Sequence, residues 1–382
     1  MKHGTSLYLD LVRFCAALVV FLEHLRIHTT GGFGAFWNYH LHYYGQTAVA
    51  VFFALSGYVI AHVLATRERT LLQYSASRFG RLYSVVLPAL ILIAVCNYLV
   101  EIKYPNLFEP FDSLGGTGAA LRYLGTALFM NRFWLWSSLE PPSAVAFWSL
   151  SFEVSYYVAI ALFVFARGRF RFLGLVLLSA LAGPAIVLLA PTWFLGYGAY
   201  HVSQRRQLPP TLAIVLWVGF NFLLLLCPLI EERVQPLYSL RIGGLLAFYA
   251  ASICFSLSLL AFNAISDRAE PLFLPFVRLI RWLGSMTFAL YLFHFPLLSV
   301  FTVYAIGEPS SALSMIWKVG GTFLIVTTLG HSANNRRVLT DSASYGYGDA
   351  LRRFAISWRG DARTELEPFP ITLNQKKCPS FL

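Results

Sequence analysis

Long apolar stretches alternate with short polar ones along most of the chain. Runs of about 20 mostly apolar residues cover approximately 7–28, 45–66, 81–101, 146–166, 170–190, 211–230, 242–264, 281–303 and 312–330. A hydrocarbon core of about 30 Å takes about 20 helical residues, so each run predicts a crossing helix. A shorter run at 192–203 follows Pro191 and predicts a short or broken span, which brings the count to ten. The stretch 121–137 is apolar and aromatic but is interrupted by Arg122 and Arg132. It predicts an interfacial helix within the long loop 102–145. From His331 the pattern turns polar and loses any clear period. The expected organisation is an integral-membrane domain over 1–330 and a poorly ordered cytoplasmic tail over 331–382.

Composition removes the soluble alternatives. Of 382 residues, 57% are apolar and only 12% charged, about half the roughly 25% charged that soluble domains carry. A soluble globule has no polar skin thick enough to cover so much apolar surface. Disorder, a coiled coil and an ordinary cytosolic enzyme are excluded, and the fold class is an all-α polytopic membrane protein. The net charge of +11 reads as topology, and no nucleic-acid partner is expected. With the N-terminus in the cytoplasm, 21 of the 29 Lys and Arg fall in inner segments and 5 in outer loops. That bias predicts about ten transmembrane helices with both termini cytoplasmic. The first run has no small-residue cleavage site and carries Asp10, Arg13 and Glu23, so it reads as a retained helix. Cys15, Cys96, Cys227 and Cys254 lie inside apolar runs, Cys378 lies in the tail, and no CxxC pair occurs. Neither a disulfide frame nor a zinc site is suggested.

Ionisable residues inside lipid cost a few kcal/mol each at the helix centre, so they need a reason: function by default, or, for Asp10–Arg13, a structural ion pair near the inner interface. Arg13 and His24 are eleven helical steps apart, which leaves them only about 20° apart around the axis. Asp10 precedes Arg13 by three residues and His28 follows His24 by four, so all four form one stripe. Such a stripe faces a bundle interior or a wet cavity. Glu153 is the only acid in the fourth run, within Trp148-Ser149-Leu150-Ser151-Phe152-Glu153. Tyr291 and His294 share a face of the ninth. The predicted depths allow His24, Glu153 and His294 to meet in one outward-leaning cavity. Arg78 and Arg81 sit where two guanidinium groups grip phosphate, although the positive-inside bias alone also explains them. Lys318, His62 and His201 read as snorkelling or interfacial, and His40 and His42 as solvated. His24 and His28 resemble half of a metal site, but no HExxH, paired-carboxylate helix or Cys partner accompanies them, so no metal is expected.

Together these motifs resemble acyltransferase family three, multipass bacterial membrane enzymes that O-acylate surface carbohydrates. Arg13 to His24 matches the family's Arg–ten residues–His pattern. Phe52-Phe53-Ala54-Leu55-Ser56-Gly57-Tyr58 resembles its second-helix signature, and Arg78-Phe79-Gly80-Arg81 its Arg–two–Arg motif. Trp148 to Glu153 and Tyr291 to His294 match two more. The likeness runs over about 7–330. It departs at Ser84, where proline often stands, and at Gly330-His331-Ser332-Ala333-Asn334-Asn335, where an acidic residue and proline are usual.

The resemblance implies a membrane O-acyltransferase moving an acyl group, acetyl in the first instance, from acyl-CoA to a carbohydrate or glycoconjugate hydroxyl. Its setting would be the bacterial inner membrane, with acyl-CoA as co-substrate and no permanently bound cofactor. Such chemistry needs a base for the hydroxyl, a stabilised oxyanion and exclusion of water. On this reading His24 is the base, Glu153 orients His24 or a second histidine, and Arg13 steadies charge on the donor or oxyanion. Arg78 and Arg81 hold the donor's phosphates. Asp10, Trp148, Ser149, Tyr291 and His294 support the site or face the acceptor. A proton-coupled transporter is the rival reading, since buried His, Glu and Arg suit it too. It predicts inverted halves, and the last five spans show no motifs matching the first five.

Overall fold

A computed structural model describes residues 1–29, 35–105, 107, 116–134, 139–206, 208–233, 243–308 and 311–329. Side chains at 35–42, 116–117, 230–233 and 243 are outside that description, as are His40, His42 and the tail expected over 331–382. Among the described residues every regular element is helical: α1 (His3–Ile27), α2 (Ala35–Thr66), α3 (Leu71–Lys103), α4 (Gly116–Ala127), α5 (Trp148–Phe165), α6 (Gly168–Ala182), α7 (Pro184–Arg205), α8 (Pro210–Arg233), α9 (Gly243–Phe273), α10 (Val277–Val303) and α11 (Ala312–Leu329). Among the described residues, eight stretches are long and apolar enough to cross a membrane, and one of them, Gly244–Val303, takes in α10 and all of α9 but its first residue. The protein is an all-α polytopic membrane protein. Exposed apolar side chains such as Leu72, Ile91, Phe172, Leu272 and Ile316 form the outer surface of the bundle, as expected of helices whose solvent is lipid.

Several helices run past their apolar stretch. The run at 81–101 becomes a 33-residue helix, about 50 Å long at 1.5 Å per residue. Thr70 caps it, its Oγ1 accepting from the Gln73 backbone N–H at 3.3 Å. The expected break at Pro191 is not there. The chain breaks at Gly183, whose φ of +89° suits a residue without Cβ. Pro184 then starts α7 in the first-turn position that needs no N–H. Pro191 lies inside this 22-residue helix, and the short member of the pair is α6, with 15 residues.

The expected interfacial helix also differs. Helix α4 ends at Ala127, before Arg132, and the chain beyond it packs back against the bundle. The Ala127 carbonyl accepts from the Tyr83 hydroxyl at 2.9 Å, and the Ala182 carbonyl accepts from the Trp134 N–H at 3.2 Å. Both interrupting arginines have a partner in Glu140: Arg132 Nε donates to its carboxylate at 2.6 Å and Arg122 to its carbonyl at 3.2 Å.

Helix α1 is central, packed against α2, α9 and α10. Small residues let backbones approach closely. A Cβ at Gly196 of α7 would lie 1.7 Å from the Ala54 carbonyl oxygen of α2, and one at Gly57 would lie 2.1 Å from that of Trp193. This contact holds Ser56, next to Gly57, against α5. Helices α1 and α10 run parallel: Arg281 reaches Ser6 and Asp10 at one end, and His294 meets His24 near the other. The polar stripe of α1 therefore faces α10 along a continuous seam.

Candidate active site

The seam starts at the amino-terminal end of α1. Asp10 is held between Arg13, 3.6 Å away, and Arg281 of α10, which donates to its other oxygen. Sequence reasoning paired Asp10 with Arg13 and counted Arg281 only for topology. The next layer surrounds a cavity of about 70 Å³ whose polar lining is Arg13, Ser56, Arg81, Ser149, Glu153, Thr287 and Tyr291. Phe52, Phe53 and Phe288 supply much of its apolar wall. Glu153 Oε1 accepts from the Ser56 hydroxyl at 2.7 Å and from the Tyr157 hydroxyl, one helical turn along α5. Arg81 and Glu153 are both near enough to Arg13 to act on its charge. The Tyr291 hydroxyl and Ser149 Oγ share a hydrogen bond of 2.9 Å across the α10–α5 contact.

One turn beyond Tyr291 lies His294, fully buried. Its Nδ1 donates to the Leu290 carbonyl at 2.8 Å, a bond that a carbonyl can only accept. In the neutral ring Nε2 must then be the acceptor, and it faces His24 Nδ1 at 2.7 Å. The two rings lie nearly parallel, 5.0 Å apart, and Phe295 packs edge-on to His24 at 5.1 Å. His24 therefore carries hydrogen on Nδ1, and its chemistry is left to Nε2. That atom is 3.1 Å from Glu23 Oε2. Beyond this layer the His28 carbonyl accepts from Lys318 Nζ at 2.8 Å. Lys318 is buried and does not snorkel, because α11 brings it against the end of α1.

The predicted site residues thus fall into two groups. His24 and His294 meet. Glu153 joins Arg13 and Arg81 in the cavity instead, and the cavity lining includes neither histidine. The three-way meeting of His24, Glu153 and His294 does not occur, because Glu153 turns to hydroxyls of α2 and its own helix. Arg78 and Arg81 also part. Arg78 is buried, its Nη2 on Glu68 at 2.6 Å and its guanidinium beside the rings of Tyr74 and Tyr157. Arg81 lines the cavity. Trp148 packs with Phe53, Phe152 and Phe248. His62 Nδ1 lies 3.3 Å from the Tyr200 hydroxyl, and His201 packs on the Tyr197 ring.

Glu23, Ser56, Tyr157 and Arg281 were missed as members of the seam. Of these only Tyr157 had a local signal, its i+4 spacing from Glu153. Among the described residues no group of three or more His, Cys, Asp or Glu is placed to hold a metal ion.

A model of an acyltransferase domain matches residues 6–331, which takes in the whole seam. The chain belongs to acyltransferase family 3. No curated protein and no solved structure matches it. This family 3 chain is accordingly a membrane acyltransferase, and the matched residues include the His24–His294 pair and the cavity around Arg13 and Glu153.

Proposed function

We propose that this acyltransferase moves an acyl group, acetyl in the simplest case, from acyl-CoA to a hydroxyl of a carbohydrate or glycoconjugate, in the bacterial inner membrane. The observation that carries the reading is the hydrogen-bond chain from the Leu290 carbonyl through His294 to His24. It holds an imidazole in one tautomer and aims a single nitrogen, Nε2, away from the chain. A ring so held takes the proton of an attacking hydroxyl near neutral pH, a contribution of about 10²–10⁴-fold. His294 does the orienting that the sequence reading assigned to Glu153.

The second support is the cavity. Eleven residues of α1 separate Arg13 from His24, about 16 Å of helix rise, and Arg13 turns back toward Asp10. One oxyanion does not reach both, so Arg13 and Arg81 act on the donor. Both termini are taken as cytoplasmic, which puts the guanidinium-lined cavity on the donor's side and the histidine pair toward the acceptor. The acceptor hydroxyl attacks the thioester carbonyl as its proton passes to His24. Collapse breaks the carbon–sulfur bond, and the same proton leaves with the thiolate.

Purified protein with radiolabelled acetyl-CoA and extracted host glycans tests this. Label should pass to glycan with wild type and not with His24→Ala, which should still insert and accumulate. Wild-type transfer by His24→Ala would refute the base assignment.

A further inference from the structure

At the amino-terminal end of the seam two guanidinium groups share one carboxylate unequally. Asp10 Oδ2 accepts from Arg281 Nη1, which also donates to Ser6 Oγ at 2.8 Å. Asp10 Oδ1 is 3.6 Å from Arg13 Nη1, an ion pair too long to be a hydrogen bond. Helical spacing alone favours the opposite division, since Asp10 and Arg13 are i, i+3 on one helix and attract each other. Helix α10 decides the matter. A Cβ at Gly284 would lie 2.8 Å from Asp10 Cβ and 3.0 Å from its Cγ, so only a residue without a side chain lets α10 come up against Asp10 here. Arg281, one turn before Gly284, then reaches Ser6 and Asp10 together.

The formal charges acting on Arg13 are those of Arg81, Asp10 and Glu153. Glu153 is engaged by the hydroxyls of Ser56 and Tyr157. Asp10 is the carboxylate within ion-pair range of Arg13. A guanidinium closed onto a carboxylate has its donors occupied and its charge cancelled at short range, and it has less to offer an oxygen-rich anionic ligand. The longer of the two contacts to Asp10 belongs to the arginine that lines the cavity, and the shorter to the one that does not.

We propose that Arg281 is a positioning residue for the donor site: it draws the Asp10 carboxylate off Arg13 and leaves the Arg13 guanidinium open to the acyl donor. The proposal rests on Arg13 and Arg81 serving the donor, as proposed above. Arg281 meets no substrate and acts through Asp10 alone. Without it, Asp10 closes onto Arg13 and the cavity loses one effective cation.

The test measures equilibrium binding of acetyl-CoA and steady-state kinetics on the full chain. It compares Arg281→Met, Arg281→Lys, Asp10→Asn, the double variant Arg281→Met with Asp10→Asn, and Arg13→Ala. Arg281→Met should weaken acetyl-CoA binding about tenfold, the scale of one charged contact, with kcat at saturating donor near wild type. Arg281→Lys, which keeps the cation, should stay within about threefold of wild type. Adding Asp10→Asn to Arg281→Met should restore binding to within about threefold, because a neutral amide does not capture Arg13. Damaged helix packing is not repaired by a second substitution, so this recovery separates the proposed role from a merely structural one. Asp10→Asn alone needs no stable Arg281 variant and should bind acetyl-CoA about threefold more tightly than wild type. Wild-type donor binding in Arg281→Met, a double variant as weak as Arg281→Met, or weakened binding in Asp10→Asn overturns the role of Arg281. Wild-type donor binding in Arg13→Ala overturns instead the donor reading on which the proposal rests.

Discussion

The two ends of the polar seam are built on different plans. Around His24 the ring is packed and its nitrogens lie 2.7 Å from His294 and 3.1 Å from Glu23, with His294 held in turn by the Leu290 carbonyl. Around Arg13 the charges line an open cavity of about 70 Å³, and Glu153 is held by neutral hydroxyls. A closed, tightly packed cluster suits a group whose protonation must be set in advance. A charged cavity suits a group that receives something from outside. On the proposed function, proton chemistry belongs to the histidine end and donor binding to the arginine end. One stripe on one helix would then carry two tasks about 16 Å apart.

The largest expected effect falls at the histidine end. His24→Ala should lower kcat by about 10²–10⁴-fold with donor affinity unchanged, measured by steady-state kinetics beside equilibrium binding of acetyl-CoA. Loss of donor affinity would merge the two ends. Next comes the Arg78–Glu68 pair, which the structure places at the edge of the arginine end. Breaking a buried ion pair costs about 3–5 kcal/mol, so Glu68→Ala should lower stability by that order in a denaturation assay. Stability within about 0.5 kcal/mol of wild type would return Arg78 to the donor alongside Arg81.

How much of this was legible in the chain differs between the levels of structure. The crossing helices were, because each needs a long apolar run and little else does. Their ends were not, because a helix continues past the hydrocarbon while the pattern that reports it stops. Pro191 misled because a proline inside a membrane helix is tolerated, whereas Gly183 breaks the chain by its backbone angle. In the site, Arg13 and His24 were readable from helical phase alone, and Tyr291 with His294 from spacing. Glu23 was not, since neighbouring helix positions diverge by about 100° and are not expected to meet. Arg281, Ser56 and Lys318 depend on which helices adjoin, and a single sequence carries no local mark of that.

Smaller effects sharpen the boundary between the ends. Arg81→Ala removes a cavity charge, and losing one charged contact of about 1.5–3 kcal/mol should raise the donor KM about ten- to a hundredfold. An unchanged donor KM would leave Arg81 a topological residue. Trp148→Phe touches only the ring cluster with Phe53, Phe152 and Phe248. It should cost about 0.5–1.5 kcal/mol of stability with kcat and both KM values near wild type. A large kinetic defect there would extend the site beyond the seam.

The division of labour is tested most directly by measuring acetyl-CoA affinity and turnover separately in His24→Ala and Arg81→Ala. The account predicts that His24→Ala binds donor as wild type does and fails to turn it over, while Arg81→Ala binds donor weakly and recovers turnover at saturating donor. Weakened donor binding in His24→Ala, or wild-type donor binding in Arg81→Ala, would contradict it.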